Sequence, residues 1–188
     1  AAYCCMNRGF YIIMAAQFFS ALADNALLIA AISMLRDIQS PAQYEPLLKL
    51  FFTVSYVALA AFVGAFADSM AKGRVMLISN TIKIAGCFMM LVATVPMLDV
   101  LGIPLYYYVL LSYAIVGLGA AAYSPAKYGI LTEYLPHDKL VIANGWIEGL
   151  TVAAIILGTV LGGVLLNPTV SAHLMAIDLP ALETSIDT

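Results

Sequence analysis

The chain has 188 residues, of which 63% are hydrophobic and only 10% charged, and its mean hydropathy is +0.98. Water-soluble domains average about 45–50% apolar and about 25% charged residues, so this composition excludes the soluble globular, disordered and collagen-like classes. The 8 Lys and Arg against 11 Asp and Glu leave a net charge of −3, which offers no basic surface to a nucleic acid.

The apolar residues gather into runs near the length a bilayer demands, about 20 residues for a hydrocarbon core of roughly 30 Å. Five runs are read: Phe10 to Leu35, Leu47 to Ala67, Val75 to Leu98, Leu105 to Tyr123 and Leu140 to Leu166. Backbone in lipid must satisfy its own hydrogen bonds, and the ten-residue alternation of barrel strands is missing, so the runs predict an all-α integral membrane protein.

The first run carries Asp24 and Asn25 and lacks a small-residue cleavage site, so it stays as a helix and is not a cleaved signal. Asp24 lies 14 residues beyond Phe10, about 21 Å along the helix, and shares a face with Gln17 seven residues earlier. An ionisable group at that depth costs at least about 2.5–3.5 kcal/mol on insertion scales and faces a cavity or a partner. Asn25 can donate to a substrate or to another helix; the bland reading of this polar group is helix-to-helix glue.

Lys83, in the third run, is the only basic residue deep inside a span by this reading, on the face of Asn80 and Gly86. Its ammonium complements an anionic headgroup, at about 4 kcal/mol for ~4 Å and an effective dielectric of 20. Asp24 is the alternative partner, and a snorkelling lysine stem a third reading. The fifth run holds Glu148, with Asn144, Trp146 and Thr151 nearby, and two glycine pairs spaced by four, Gly145 with Gly149 and Gly158 with Gly162. Such pairs let another helix approach closely.

Counting cations in alternate connections puts Arg8, Lys72, Arg74, Lys127 and Lys139 on one side against Arg36 and Lys49 on the other. The bias predicts a cytoplasmic amino-terminal segment (residues 1–9) and an outer end to the fifth helix. Residues 167–188, with Pro168, His173, Asp178 and Pro180, read as an exposed outer connection. Five spans are an odd number for a self-contained polytopic protein, and a truncated chain is expected. Cys4, Cys5 and Cys87 lack disulfide-framework or zinc spacing.

The connection Gly64-Ala-Phe-Ala-Asp68-Ser-Met-Ala-Lys72-Gly73-Arg74 resembles the signature loop of the major facilitator superfamily between its second and third helices. Gly64, Asp68, Gly73 and Arg74 match in kind; Ser69 stands where that pattern has a base, and the second glycine falls two places late. Such a motif holds an Asp at a helix end, where the dipole of a neighbouring helix and a cation keep it until a gate rearranges. A narrower similarity, to bacterial lysophospholipid transporters, runs through Gln17 to Leu27, Ala67 to Met76, and Gly119 to Leu131 with its Ser-Pro-Ala-Lys127-Tyr128-Gly stretch, and on to Ala143-Asn144-Gly145 and Glu148. Pro125 is expected to break the fourth helix and set Lys127 and Tyr128 at the membrane surface.

That resemblance implies a twelve-helix fold of which residues 10–166 form helices one to five, and a multi-pass protein of the bacterial inner membrane. It implies inward flipping of lysophospholipids such as lysophosphatidylethanolamine by alternating access, for reacylation by an acyltransferase and acyl-carrier-protein synthetase partner, fused or separate, with no cofactor and no metal. Substrate or translocation roles then fall on Gln17, Asp24, Asn25, Lys83, Lys127, Tyr128 and Glu148, and gating on Gly64, Asp68, Lys72, Gly73 and Arg74. A proton-coupled exporter of drugs or metabolites is the alternative, since Gly149, Gly158, Gly162 and Gly163 resemble the spacing of the exporters' fifth-helix motif, with Gly163 in place of its proline. A membrane-embedded lipid acyltransferase fits poorly: His137 is followed directly by Asp138, and no intramembrane helix carries two carboxylates two to four residues apart.

Overall fold

The computed structural model describes residues 8–92 and 104–175, with the side chains of a few helical positions, Asp68 among them, outside the description. The opening residues 1–7, the last part of the third apolar run (93–98) and the tail 176–188 also lie outside the described residues. Helices make up the fold: α1 (Arg8–Asp37), α2 (Tyr44–Ser69), α3 (Lys72–Val92), α4 (Leu105–Tyr134), α5 (His137–Leu165) and the short α6 (Pro168–Met175). Each of the five long helices contains or largely covers one apolar run. Among the described residues, α1, α3, α4 and α5 are long and apolar enough to cross a membrane.

Helix starts follow proline chemistry. Pro104 and Pro136 stand immediately before α4 and α5, and Pro168 opens α6, where a missing N–H costs nothing and the fixed φ suits the first turn. The Asn167 side chain accepts the Thr169 N–H at 3.0 Å, capping α6 within the stretch read as a connection. At the other end of the bundle α1 stops where Gln39 adopts a left-handed φ of 50°, and the Ser40 N–H returns to the Leu35 carbonyl at 3.0 Å. Arg36 then grips Glu45 of α2 through two donors, at 2.9 and 3.0 Å, a fork geometry that fixes the hairpin.

Two sets of helices pack tightly within themselves: α1 along α5, and α4 between α2 and α3. Glycines make this closeness possible. A Cβ on Gly158 would collide with the Leu22 carbonyl of α1, and one on Gly162 would lie 3.0 Å from the Ala26 carbonyl oxygen. In the second set, a Cβ on Gly86 would meet Val116 Cγ2 at 2.7 Å, one on Gly117 would meet Phe52 Cα at 3.0 Å, and one on Gly119 would meet the Ser79 carbonyl oxygen at 2.7 Å. The sequence expectation for the fifth-helix glycines is thus met at Gly158 and Gly162. Around Gly145 and Gly149, in contrast, a Cβ would find open space.

Apolar cores close both ends. Ala31, Leu35, Leu48, Met90, Val109, Leu110 and Tyr113 form one; Phe10, Met14, Leu131, Ala143 and Ile147 form the other. Met14 and Ala31 belong to opposite cores and stand 17 residues apart on α1, about 25 Å at the helical rise. Gln17, Ser20, Asp24 and Asn25 of α1 lie between them. Large apolar side chains such as Val141, Phe62, Leu77 and Ile12 instead face outward, as lipid in place of water permits.

Candidate functional site

The layer between the two cores sits at the middle of the helices. Asp24, Lys83, Gly119 and Thr151 each fall within two residues of the centre of α1, α3, α4 and α5. Here Lys83 Nζ donates to Asp24 Oδ2 at 2.6 Å and to Ser20 Oγ at 3.0 Å, and its ammonium lies 5.1 Å from the centre of the Tyr123 ring. The Lys83 side chain is 9% exposed and that of Asp24 21%, so the two sequence readings of a stranded charge meet in one ion pair. Ser20 in turn donates to Asn80 Oδ1 at 3.4 Å. Gly119 admits the lysine: a Cβ there would stand 2.8 Å from Lys83 Cγ.

Gln17 joins α1 to α5 by donating to Thr151 Oγ1 at 3.2 Å, while Thr151 donates to its own helix at the Ile147 carbonyl. Asn25 donates to the Ala21 carbonyl of its own helix at 2.8 Å, and its Cβ packs on Gly158. Its amide is therefore engaged locally. Among the described residues the Gln17 Oε1 and the Tyr123 hydroxyl are buried without a hydrogen-bond partner, free polar valences of a kind that folded proteins seldom leave.

A second cluster joins α4 to α5. Lys127 Nζ lies 3.6 Å from Glu148 Oε1 and 4.5 Å from the centre of the Tyr128 ring, and the Tyr128 hydroxyl donates to the same carboxylate oxygen at 2.5 Å. Here the structure differs from the sequence expectation. Pro125 does not break α4, which continues to Tyr134, and Lys127 is buried with a side chain only 7% exposed. A proline removes one ladder donor, but a helix packed on its neighbours tolerates the loss at membrane depth. Lys127 consequently leaves the cation count of the connections, and so does Lys49, which sits inside α2; Arg8, Lys72, Arg74 and Lys139 then stand against Arg36.

Both clusters open on one cavity of about 290 Å³ that runs along the seam between the two helix sets. Its wall includes Gln17, Ser20, Asp24 and Asn25 from α1, Lys83 from α3, Tyr113, Tyr123 and Lys127 from α4, and Thr151 from α5. Glu148 reaches the cavity only through Lys127. Lys49, Phe52 and Tyr56 of α2 also line the cavity. Sequence reasoning missed those three, together with Ser20, Tyr113 and Tyr123. Helical spacing was the available signal: Ser20 is four residues from Asp24, and Tyr123 four from Gly119.

The residues expected to gate do not appear in the cavity wall among the described side chains. Gly64 and Asp68 are in the second half of α2, and Lys72, Gly73 and Arg74 form the first turn of α3. The Lys72 stem crosses α4 at Gly129, where a Cβ would be 3.0 Å from Lys72 Cε, while Gly64 and Gly73 border open space. The Asp68 side chain is outside the described residues.

Residues 13–177 match the family model of the Major Facilitator Superfamily. Over 160 residues the chain is 46% identical to the lysophospholipid transporter LplT of Yersinia enterocolitica serotype O:8 / biotype 1B, an alignment covering 85% of this chain and 36% of that protein. Over 171 residues it is 43% identical to the lysophospholipid transporters LplT of Yersinia pestis (strain Pestoides F) and Yersinia pseudotuberculosis serotype O:3, covering 91% of this chain and 38% of each relative. The chain thus spans little more than a third of the length of these curated relatives. No solved structure matches it. With an all-helical fold of bilayer-length helices and a family match over most of its residues, the chain belongs to the major facilitator superfamily.

Proposed function

We propose that the protein carrying this chain moves lysophospholipids, such as lysophosphatidylethanolamine, across the bacterial inner membrane by alternating access, and that residues 10–166 are helices one to five of its amino-terminal half. The cavity is the observation that carries the reading. It sets buried Lys83 at mid-helix depth and buried Lys127 two turns nearer the end of α4, among apolar and aromatic walls, which suits a phosphate-bearing headgroup attached to one acyl chain. The unpaired Gln17 Oε1 and Tyr123 hydroxyl give the polar part of such a lipid an acceptor and a donor. Similarity to proteins named lysophospholipid transporters points the same way.

On this reading the cluster of Lys127, Tyr128 and Glu148 lies toward the cytoplasmic side, with the amino terminus. Exchange of the Lys83 ammonium between Asp24 and the phosphate keeps that buried charge compensated whether or not a lipid is bound. The segment transports and does no chemistry; an acyltransferase partner reacylates the product. Uptake of radiolabelled lysophosphatidylethanolamine by spheroplasts expressing the full-length protein tests the proposal. Uptake above a vector control is expected, and equal uptake overturns it.

A further inference from the structure

Lys49 is the cavity cation that neither ion pair uses. It is the sixth residue of α2, and Phe52 and Tyr56, three and seven positions on, line the cavity with it, one face of a helix by the 3.6-residue period. The rotation of α2 is fixed. Leu48 is fully buried in the apolar core, Phe52 rests on Gly117 of α4, and the Phe52 and Tyr113 rings stand 5.4 Å apart. Lys49 is thereby aimed along the cavity wall.

Its charge is left over. Asp24 is taken by Lys83 at 2.6 Å, and Glu148 is shared by Lys127 and Tyr128. Four residues before Lys49 stands Glu45, the acid that helical spacing would normally give it. Both Glu45 oxygens instead accept from Arg36 across the α1–α2 hairpin. Among the described residues Lys49 has no acidic partner, so the wall of the cavity and the carboxylate beside it carry three ammonium groups against two carboxylates.

We infer that Lys49 makes the cavity selective by charge, favouring lysophospholipids whose headgroup is net negative, with a phosphodiester and no ammonium, over zwitterionic ones. The inference rests on the transport reading above and names the substrate class within it. A zwitterion brings its own cation, which meets Lys49 as a like charge; an anionic headgroup such as glycerophosphate brings none. Lys49 occupies the end of the cavity near the α1–α2 hairpin, the outer mouth in the proposed orientation, where a headgroup enters first.

The test uses the full-length protein in proteoliposomes, comparing uptake of lysophosphatidylglycerol and lysophosphatidylethanolamine by wild type, Lys49→Gln and Lys49→Arg. Lys49→Gln should raise the half-saturating concentration of the anionic lipid about threefold to tenfold, the scale of one partly solvated charge contact. The zwitterionic lipid should lose less than the anionic one, so that the ratio between them falls, and Lys49→Arg should keep the wild-type ratio. An unchanged ratio in Lys49→Gln, or an equal loss for both lipids, overturns the inference and leaves Lys49 as an interfacial anchor. A wild-type protein that moves neither lipid overturns the transport reading itself, and this inference with it.

Discussion

The two kinds of helix contact in this bundle solve the same problem by opposite means. Within each set, α1 with α5 and α2 and α3 on α4, glycines bring backbones together and the contact is mainly dispersion, with the Gln17–Thr151 hydrogen bond between α1 and α5 a polar exception. Across the seam between the sets, side chains reach over a cavity: Lys83 to Asp24, Ser20 to Asn80, Lys127 and Tyr128 to Glu148. The glycine contacts have no alternative partner and hold geometry. The seam contacts are ionic or hydrogen-bonded, and each group in them can exchange its partner for a ligand or water. The transport proposed above has use for both, a rigid part and a part that lets go.

The sharpest way to break this contrast is at the buried pair. Asp24→Ala leaves Lys83 with a buried charge and no counter-ion, a cost of about 3–5 kcal/mol when one partner of such a pair is removed. Uptake is expected to fall at least about tenfold, while membrane insertion, read by fractionation, stays intact. Lys83→Ala should behave alike. The double exchange Asp24→Lys with Lys83→Asp discriminates the pair's two uses: recovery of part of the lost uptake follows if the pair is chiefly an inter-helix bridge, and none if Lys83 meets the headgroup directly.

Next in size is the glycine contact. Gly158→Leu places a branched side chain where even a Cβ would strike the Leu22 carbonyl, and backbone cannot rotate away as a side chain can. A loss of about 1–3 kcal/mol in stability is expected from such overpacking, read as a lower thermal midpoint in detergent. Activity per folded molecule should drop less than in Asp24→Ala, because the Asp24–Lys83 pair itself keeps both its charges.

How much of this was legible in the sequence follows the same division. Bilayer-length apolar runs gave all five long helices, since hydrophobic length is set by the bilayer and needs no partner to be read. The burial cost of a charge singled out Asp24 and Lys83 correctly as groups requiring a partner, yet the choice of each other is a fact of tertiary geometry, 59 residues apart in the chain. Pro125 was misread because a rule drawn from isolated helices met a helix supported on several sides. Lys49 was counted only as a loop cation: nothing local reveals that Glu45, its spacing partner, is claimed by Arg36 across a hairpin.

The cluster on α4 and α5 should respond more weakly than the central pair. Glu148 has a side chain 54% exposed, so water screens what is lost when its charge is removed. Glu148→Gln is expected to lower uptake about twofold to fivefold. Tyr128→Phe, which removes one hydrogen bond across the seam, should cost about 0.6 kcal/mol, the average for such bonds between membrane helices. If Tyr128→Phe instead matched Asp24→Ala in uptake, the seam would be held from this end and the central pair would be the lesser bridge.

The smallest effect separates the two glycine pairs of α5. Gly158 is pressed against α1, but around Gly145 a Cβ would have nothing within 4 Å. Alanine is favoured over glycine within a helix by about 0.8–1.0 kcal/mol, and at an open position that preference has nothing to oppose it. Gly145→Ala should therefore leave the thermal midpoint of the full-length protein unchanged or slightly raised, where Gly158→Ala lowers it. A lowered midpoint for both would mean that a helix outside this chain lies against Gly145 as α1 lies against Gly158, and the glycine spacing of α5 would then mark two permanent contacts instead of one contact and one open groove.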